Sequence, residues 1–260
     1  MKNERILGFV SGKGGVGKTT LCVNVGMALR EMGKDVTLVD ADFSAANLST
    51  YLGEYDHPVN IQEVLDGVET VEEAMFRHPS GVKAITAANE IDRTEPDTER
   101  FRKLLERATE HSDYVLVDSA PGVNQQVESI MDACDELLVV TEPTQTSGVN
   151  AAQIIEKAME LKKPVLGTVI NKFQDHPEKE LIENEVEIMT GSQVLRKVPH
   201  DDHVKEALFN NQPVVHHEPL SEAAIEIKKL AAGFEGKQYQ APKLAGLRRN
   251  LNQLRDRLGR

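Results

Sequence analysis

Residues 12–19 read Gly-Lys-Gly-Gly-Val-Gly-Lys-Thr, which is the spacing G-x-x-x-x-G-K-[ST], and Thr20 follows directly. These residue types at this spacing suit one task, the holding of phosphate. Gly12, Gly14, Gly15 and Gly17 let the backbone curl, so that its N–H groups, with that of Val16, converge on phosphate oxygens. A helix opening at the end of the loop adds the positive end of its dipole. Lys18 would neutralise the β- and γ-phosphates, and the Thr19 hydroxyl would ligate Mg2+. The same logic does not require Lys13, whose plain reading is a solvated loop lysine.

Other candidates stand at the ends of apolar runs. Asp40 and Asp42 close "DVTLVDAD", and strand ends are where open α/β sheets bind ligands. One of the two could instead cap a helix. Asp118 ends the apolar run of "YVLVD", where a carboxylate can hold a metal, usually through water. Asn171 ends "TVIN", and Pro199 and Asp201 open "VPHDDHVKEALFNNQPVV". The histidines of His-Asp-Asp-His (200–203) and the pair His216-His217 would suit a metal by type, but adjacent histidines do not easily share one ion.

The elements that must position these groups are legible as alternation. Apolar runs at 6–10, 35–40, 82–87, 114–119, 136–142, 164–171 and 193–199 are separated by helix-period segments, of which "TTLCVNVGMALREMG" stops at Gly33 as a helix end should. Runs that are continuously Val, Ile and Leu, with no strict alternation, fit strands buried on both faces of a parallel sheet. The expectation is a doubly wound α/β domain, a mostly parallel sheet flanked by helices, over residues 1–233. A linker at 234–243 and a basic amphipathic helix at 244–260 follow.

The chain has 260 residues and a net charge of −12, unevenly spread. From Gly236 to Arg260 seven Lys or Arg face one acid, Asp256, so the tail is near +6 and the remainder near −18. An acidic body of that size disfavours DNA as a partner. No stretch approaches the roughly 20 apolar residues of a membrane span. The N-terminus lacks the pattern of a secretory signal. Cys22 and Cys134 stand alone in apolar surroundings, as free thiols of a reducing compartment. The expected location is the cytoplasm.

In the tail, Leu244, Leu247, Leu251, Leu254 and Leu258 recur at steps of 3 and 4, one stripe of a helix, with Lys243, Arg248, Arg249, Arg255, Arg257 and Arg260 around it. Such a helix can lie in the face of an anionic membrane with its leucines inward. The same spacing fits a short coiled coil or a docking helix for a protein, and the charge also suits nucleic acid.

Taken together, K-G-G-x-G-K-T-T, the segment D-x-D-x-x-x-x-N-L from Asp40, the run ending at Asp118 and the V-P-x-D-x-x-V-x-E-A segment resemble the MinD/ParA group of ATPases, in order, over about residues 5–215. The loop is similar to that group's deviant Walker A form of the P-loop NTPase. The resemblance implies ATP and Mg2+ as cofactors and a homodimer when ATP is bound. Lys13 would then reach across the dimer to the partner's nucleotide, as an arginine finger does. It implies that Asp42 orients the attacking water and that Asp40 and Asp118, with Thr19, belong to the Mg2+ shell. Asn171 would read the adenine amino group, and the backbone at Pro199 and Asp201 would border the base. Two departures stand out: D-S-A-P-G from Asp118 in place of D-x-P-A-G, and Thr144 where a glutamate often follows the proline.

The expected function is that of a MinD-like ATPase. ATP-dependent dimerisation would control reversible association with the inner face of the cell membrane, and hence position, with an unidentified activator or cargo protein. The alternative is a positioning ATPase of the same group for flagellar, chemotaxis or DNA cargo, with the tail on a protein or nucleic acid. A related iron–sulfur carrier would need paired cysteines.

Overall fold

The apolar runs are short and rich in β-branched residues, which suits strands covered on both faces. The computed structural model describes residues 4–54, 57–88, 97–174 and 178–242. Its strands are β1 (Arg5–Val10), β2 (Val36–Ala41), β3 (Phe76–Arg77), β4 (Lys83–Ile85), β5 (Tyr114–Ser119), β6 (Glu136–Thr141), β7 (Val165–Phe173) and β8 (Val194–Pro199). They form one sheet in the order β3-β4-β2-β5-β1-β6-β7-β8. All pairings are parallel except β3 with β4. Seven of the eight correspond to the seven apolar runs. The eighth, β3, is two residues long and too short to carry a pattern.

The helices are α1 (Lys18–Glu31), α2 (Leu48–Leu52), α3 (Ile61–Leu65), α4 (Val71–Ala74), α5 (Thr98–Thr109), α6 (Gln125–Ala133), α7 (Gln145–Glu160), α8 (Glu183–Thr190), α9 (Asp202–Phe209), α10 (Val214–His217) and α11 (Glu222–Phe234). Strand side chains alternate between two cores. Leu7, Phe9, Leu38 and Leu116 pack on one side with Leu21, Val25 and Leu29 of α1 and Ile227 and Leu230 of α11. Ile6, Val10, Val39, Val115 and Val117 pack on the other with Phe101 and Leu105 of α5, Ile130 of α6 and Ile154 of α7. All of these are at most 5% exposed, and full burial of each large aliphatic or aromatic side chain stabilises by about 1.5–3 kcal/mol.

Helix α1 carries the phosphate loop on its N-terminus and is therefore the element to fix. Met32 is its C-cap, and Gly33 and Lys34 donate back to Arg30 and Leu29 at 2.9 and 3.1 Å, which closes the end predicted at Gly33. Asn24, buried within α1, accepts the Val215 N–H at 3.0 Å and so ties α1 to α10. Lys228 of α11 reaches Glu31 at 2.8 Å. After α11 the described chain runs to Pro242 without helix or strand. The expected C-terminal helix, with Leu244, Leu247, Leu251, Leu254, Leu258, Arg248, Arg249 and Arg255, lies outside the described residues.

Candidate functional site

Parallel pairing in register sets the strand ends in a row. Asp40 of β2 stands beside Asp118 of β5, and Phe9 of β1 pairs Asp118 on its other side, so the end of β1, from which the phosphate loop leaves, lies next to Asp118. Beyond it come Glu142 after β6, Asn171 near the end of β7 and Pro199 closing β8. Candidates far apart in the chain thus meet along one edge of the sheet, where its strand order reverses around β1.

Lys18 is buried at the start of α1, and its Nζ donates to Asp118 Oδ1 at 2.7 Å and to the Ser119 carbonyl. Burial pulls its pKa down, but the attraction and hydrogen bond of Asp118 more than offset this and raise it. The ammonium stays charged, paired with the carboxylate expected to hold the metal. Asp40 is also buried, and its pKa is pushed up to about 8, by burial first and then by the charge of Asp118 beside it. Its two oxygens accept the N–H groups of Asp42 and Leu48, each at 3.1 Å. It therefore fastens both ends of the loop 42–48 and supplies the cap that Asn47 does not give α2. Asp42 accepts from Ser44 Oγ at 2.9 Å and from the Ala45 N–H at 3.0 Å. Of the two aspartates, Asp40 is the one that takes the capping role.

Close backbone approach explains the glycines at the two ends of the phosphate loop. A Cβ on Gly12 would overlap the Asn150 backbone of α7, and one on Gly17, at φ 90°, would overlap Asn171 Nδ2. That amide donates to the Val16 carbonyl at 2.7 Å, so Asn171 braces the loop with its nitrogen and keeps Oδ1 for another donor. An adenine amino group is a donor of that kind. Gly14 and Gly15 are exposed, and Thr19 and Thr20 are half-buried in the first turn of α1, with Thr20 Oγ1 2.9 Å from the Tyr51 hydroxyl. The loop's two lysines differ sharply. The Lys13 side chain is 45% exposed at the rim, while that of Lys18 is 7% exposed.

Pro199 pairs Phe173, and His200 N donates to the Phe173 carbonyl at 2.8 Å, which brings this segment beside the Asn171 strand. Asp201 is the N-cap of α9, and its carboxylate accepts from the N–H groups of His203 and Ala223. Burial works to raise its pKa, but these hydrogen bonds and that of His203 Nδ1 leave it below the ordinary value. The histidines have local partners: His203 on Asp201 at 2.7 Å, His200 near Asp202 at 3.6 Å and His216 near Glu31 at 3.5 Å. Thr144 is the N-cap of α7 through the Ser147 N–H.

Two residues at the rim, outside the phosphate- and metal-holding groups, were not singled out in the sequence. Lys172 donates to the Gly15 carbonyl and to Glu142 Oε1, and Glu142 in turn faces Lys13. Their signal was positional: each lies at the strand-end edge that carries every other candidate.

The residues fit a magnesium nucleotide. The N-cap of α1 is Gly17, with no side-chain cap, so the first-turn N–H groups are available to an anion. The donors beside them, Thr19 and the carboxylates of Asp40, Asp42 and Asp118, are oxygens, as Mg2+ requires.

A profile of the CobQ/CobB/MinD/ParA nucleotide binding domain matches residues 7–214. An uncharacterized ATP-binding protein of Methanocaldococcus jannaschii is 31% identical over 238 residues, 90% of this chain and 89% of that protein. Among solved structures, the septum site-determining protein MinD of Pyrococcus horikoshii, complexed with Mg-ADP, superposes with a TM-score of 0.83 at 27% identity over 94% of this chain and 98% of that one. The MinC:MinD cell division protein complex of Aquifex aeolicus gives 0.81 at 26% identity, over 92% and 98%. The chain belongs to the MinD/ParA family of nucleotide-binding P-loop proteins and is a MinD-type member of it.

Proposed function

We propose that this chain is an ATP-hydrolysing positioning switch: binding of ATP with Mg2+ drives a face-to-face homodimer, the dimer holds an anionic membrane through paired C-terminal tails, and hydrolysis releases it. The observation that carries the reading is the division of labour between the two loop lysines. Lys18 is buried within its own chain, while Lys13, earlier in the same loop, stands exposed at the rim, where a second protomer's nucleotide can meet it. A cation supplied by the partner makes catalysis conditional on assembly.

We assign the roles as follows. Lys18 and the N–H groups from Gly14 to Thr19 hold the phosphates, with Thr19, Asp118 and Asp40 on the side of the metal. Mg2+, when bound, screens the charge on the β- and γ-phosphates. Asp42 accepts a hydrogen bond from the attacking water and orients it. Asn171 Oδ1 takes the adenine amino group, with the backbone at Pro199 and Asp201 beside the base. Each tail alone binds membrane weakly, and pairing two copies multiplies that affinity without any new contact. The protein then works in the cytoplasm, at the inner face of the cell membrane, with a partner protein that triggers hydrolysis or is carried. The relative solved with MinC supports a protein partner of some kind.

The test is co-sedimentation of the full chain with anionic vesicles, in Mg-ATP and in Mg-ADP, beside a Leu251→Glu/Leu254→Glu variant. Pelleting in ATP alone, lost in the variant, is the expected result. Pelleting in neither nucleotide refutes membrane association and gives the tail to a protein or nucleic-acid partner. Binding in both nucleotides refutes the coupling to dimerisation.

A further inference from the structure

At the rim of the site one carboxylate serves two lysines from different parts of the chain. Glu142 Oε1 accepts from Lys172 Nζ at 2.9 Å, and Glu142 Oε2 lies 3.7 Å from Lys13 Nζ. The two halves of this arrangement are not equivalent. Glu142 is the better buried member, its side chain 19% exposed against 43% for Lys172 and 45% for Lys13. Lys172 is anchored twice, through Glu142 and through the Gly15 carbonyl. Its backbone is held at φ 58°, in the left-handed region that side-chain-bearing residues seldom adopt. The fixed Lys172–Glu142 pair thus presents a carboxylate to Lys13, which meets it at a looser distance.

We infer that Glu142 is a positioning residue that holds Lys13 on its own protomer, so that dimerisation must break a Lys13–Glu142 pair in each of two chains. The inference rests on the trans role given to Lys13 above. It makes Glu142 a brake on assembly: a dimer forms only when the partner's phosphates outcompete the carboxylate at home. An exposed ion pair shifts an equilibrium by roughly 1.5- to 5-fold, and a symmetric dimer breaks two, so the dimer constant carries the square, about 2- to 25-fold.

The experiment measures the dimerisation constant of the full chain by sedimentation velocity in Mg-AMP-PNP for wild type, Glu142→Gln, Lys13→Ala and the double variant. Binding of a fluorescent ADP to the monomer is measured alongside and doubles as a check that each variant is folded. Glu142→Gln should tighten the dimer about 2- to 25-fold, with ADP affinity within about twofold of wild type. In the Lys13→Ala background it should change nothing. A weaker or unchanged dimer in Glu142→Gln overturns the inference, as does a gain that survives Lys13→Ala or that ADP affinity fully accounts for; the last would mean repulsion between Glu142 and phosphate. If Lys13→Ala itself dimerises like wild type, the trans role fails first, and that result is separable because it needs no change at Glu142.

Discussion

Replacing Asp40 with asparagine should change the slope of stability against pH. In the folded chain Asp40 titrates near 8, held up by burial and by Asp118, whereas an aspartate in the unfolded chain titrates near ~3.9. Between those values the folded state keeps a proton that the unfolded state has released. Stability from this group is therefore fully present below about pH 4, falls as pH rises and is gone above about pH 8. Each pH unit inside the window costs about 1.4 kcal/mol, so between pH 5 and pH 7 the wild type should lose about 2.7 kcal/mol relative to a variant that cannot titrate there. The Asp40→Asn substitution also brings a cost of its own. Both Asp40 oxygens accept a backbone N–H, from Asp42 and from Leu48, and an amide has one oxygen to offer, so one N–H faces an NH2 group at a cost of about 1–3 kcal/mol at every pH. The variant is thus less stable than wild type in acid, and the gap closes as pH rises. Urea denaturation of both chains at pH 5, 6 and 7, with EDTA and no nucleotide, reads the difference directly. A difference that stays constant within about 0.5 kcal/mol would refute the assignment of a buried, protonated carboxyl to this position.

Two further substitutions probe the loop and the chemistry. Gly17→Ala should destabilise the chain by about 2–3 kcal/mol, from left-handed strain plus loss of the Asn171–Val16 hydrogen bond, and Asn171→Ala in the same chain should recover part of this in a thermal-denaturation double-mutant cycle. Additive losses would place the clash elsewhere. Asp42→Ala should lower ATP turnover about 100-fold or more while leaving nucleotide affinity within a few-fold, as judged by phosphate release and fluorescent-nucleotide titration. Turnover like that of wild type would remove Asp42 from the water-orienting role.

Much of this was legible in the residues because long apolar runs fix a parallel sheet, and a parallel sheet fixes where its strand ends meet. The runs ending at Asp40, Asp118 and Asn171 were enough to put these residues at the ends of parallel strands, but not to say that β2 and β5 would be neighbours while β7 stands beyond two further strands, β1 and β6. The two-residue β3 was not legible, since a pattern of period 2 needs more than one repeat. Nor were the partners of the site residues. Nothing in the spacing says that Lys18 would bond Asp118, or that Asp40 would spend both oxygens on the loop 42–48. Such contacts depend on side-chain reach across elements distant in sequence. Glu142 and Lys172 are ordinary as residues at strand ends, and it is the pairing of β6 with β7, Thr141 beside Ile170, that brings them within reach of each other.

The pairing of Lys18 with Asp118 has a consequence for how ligands enter. On the roles proposed above, each half of that pair would be claimed by a different guest, the ammonium by phosphate and the carboxylate by the metal. Phosphate arriving alone strands a buried aspartate, and a cation arriving alone strands a buried lysine, either of which is expensive at this depth. Arriving together, they exchange one neutral ion pair for two new ones. Magnesium and nucleotide are then thermodynamically linked through a single bond of the protein, each raising the other's affinity by the same factor. A site built in this way discriminates for the complex of the two over either component.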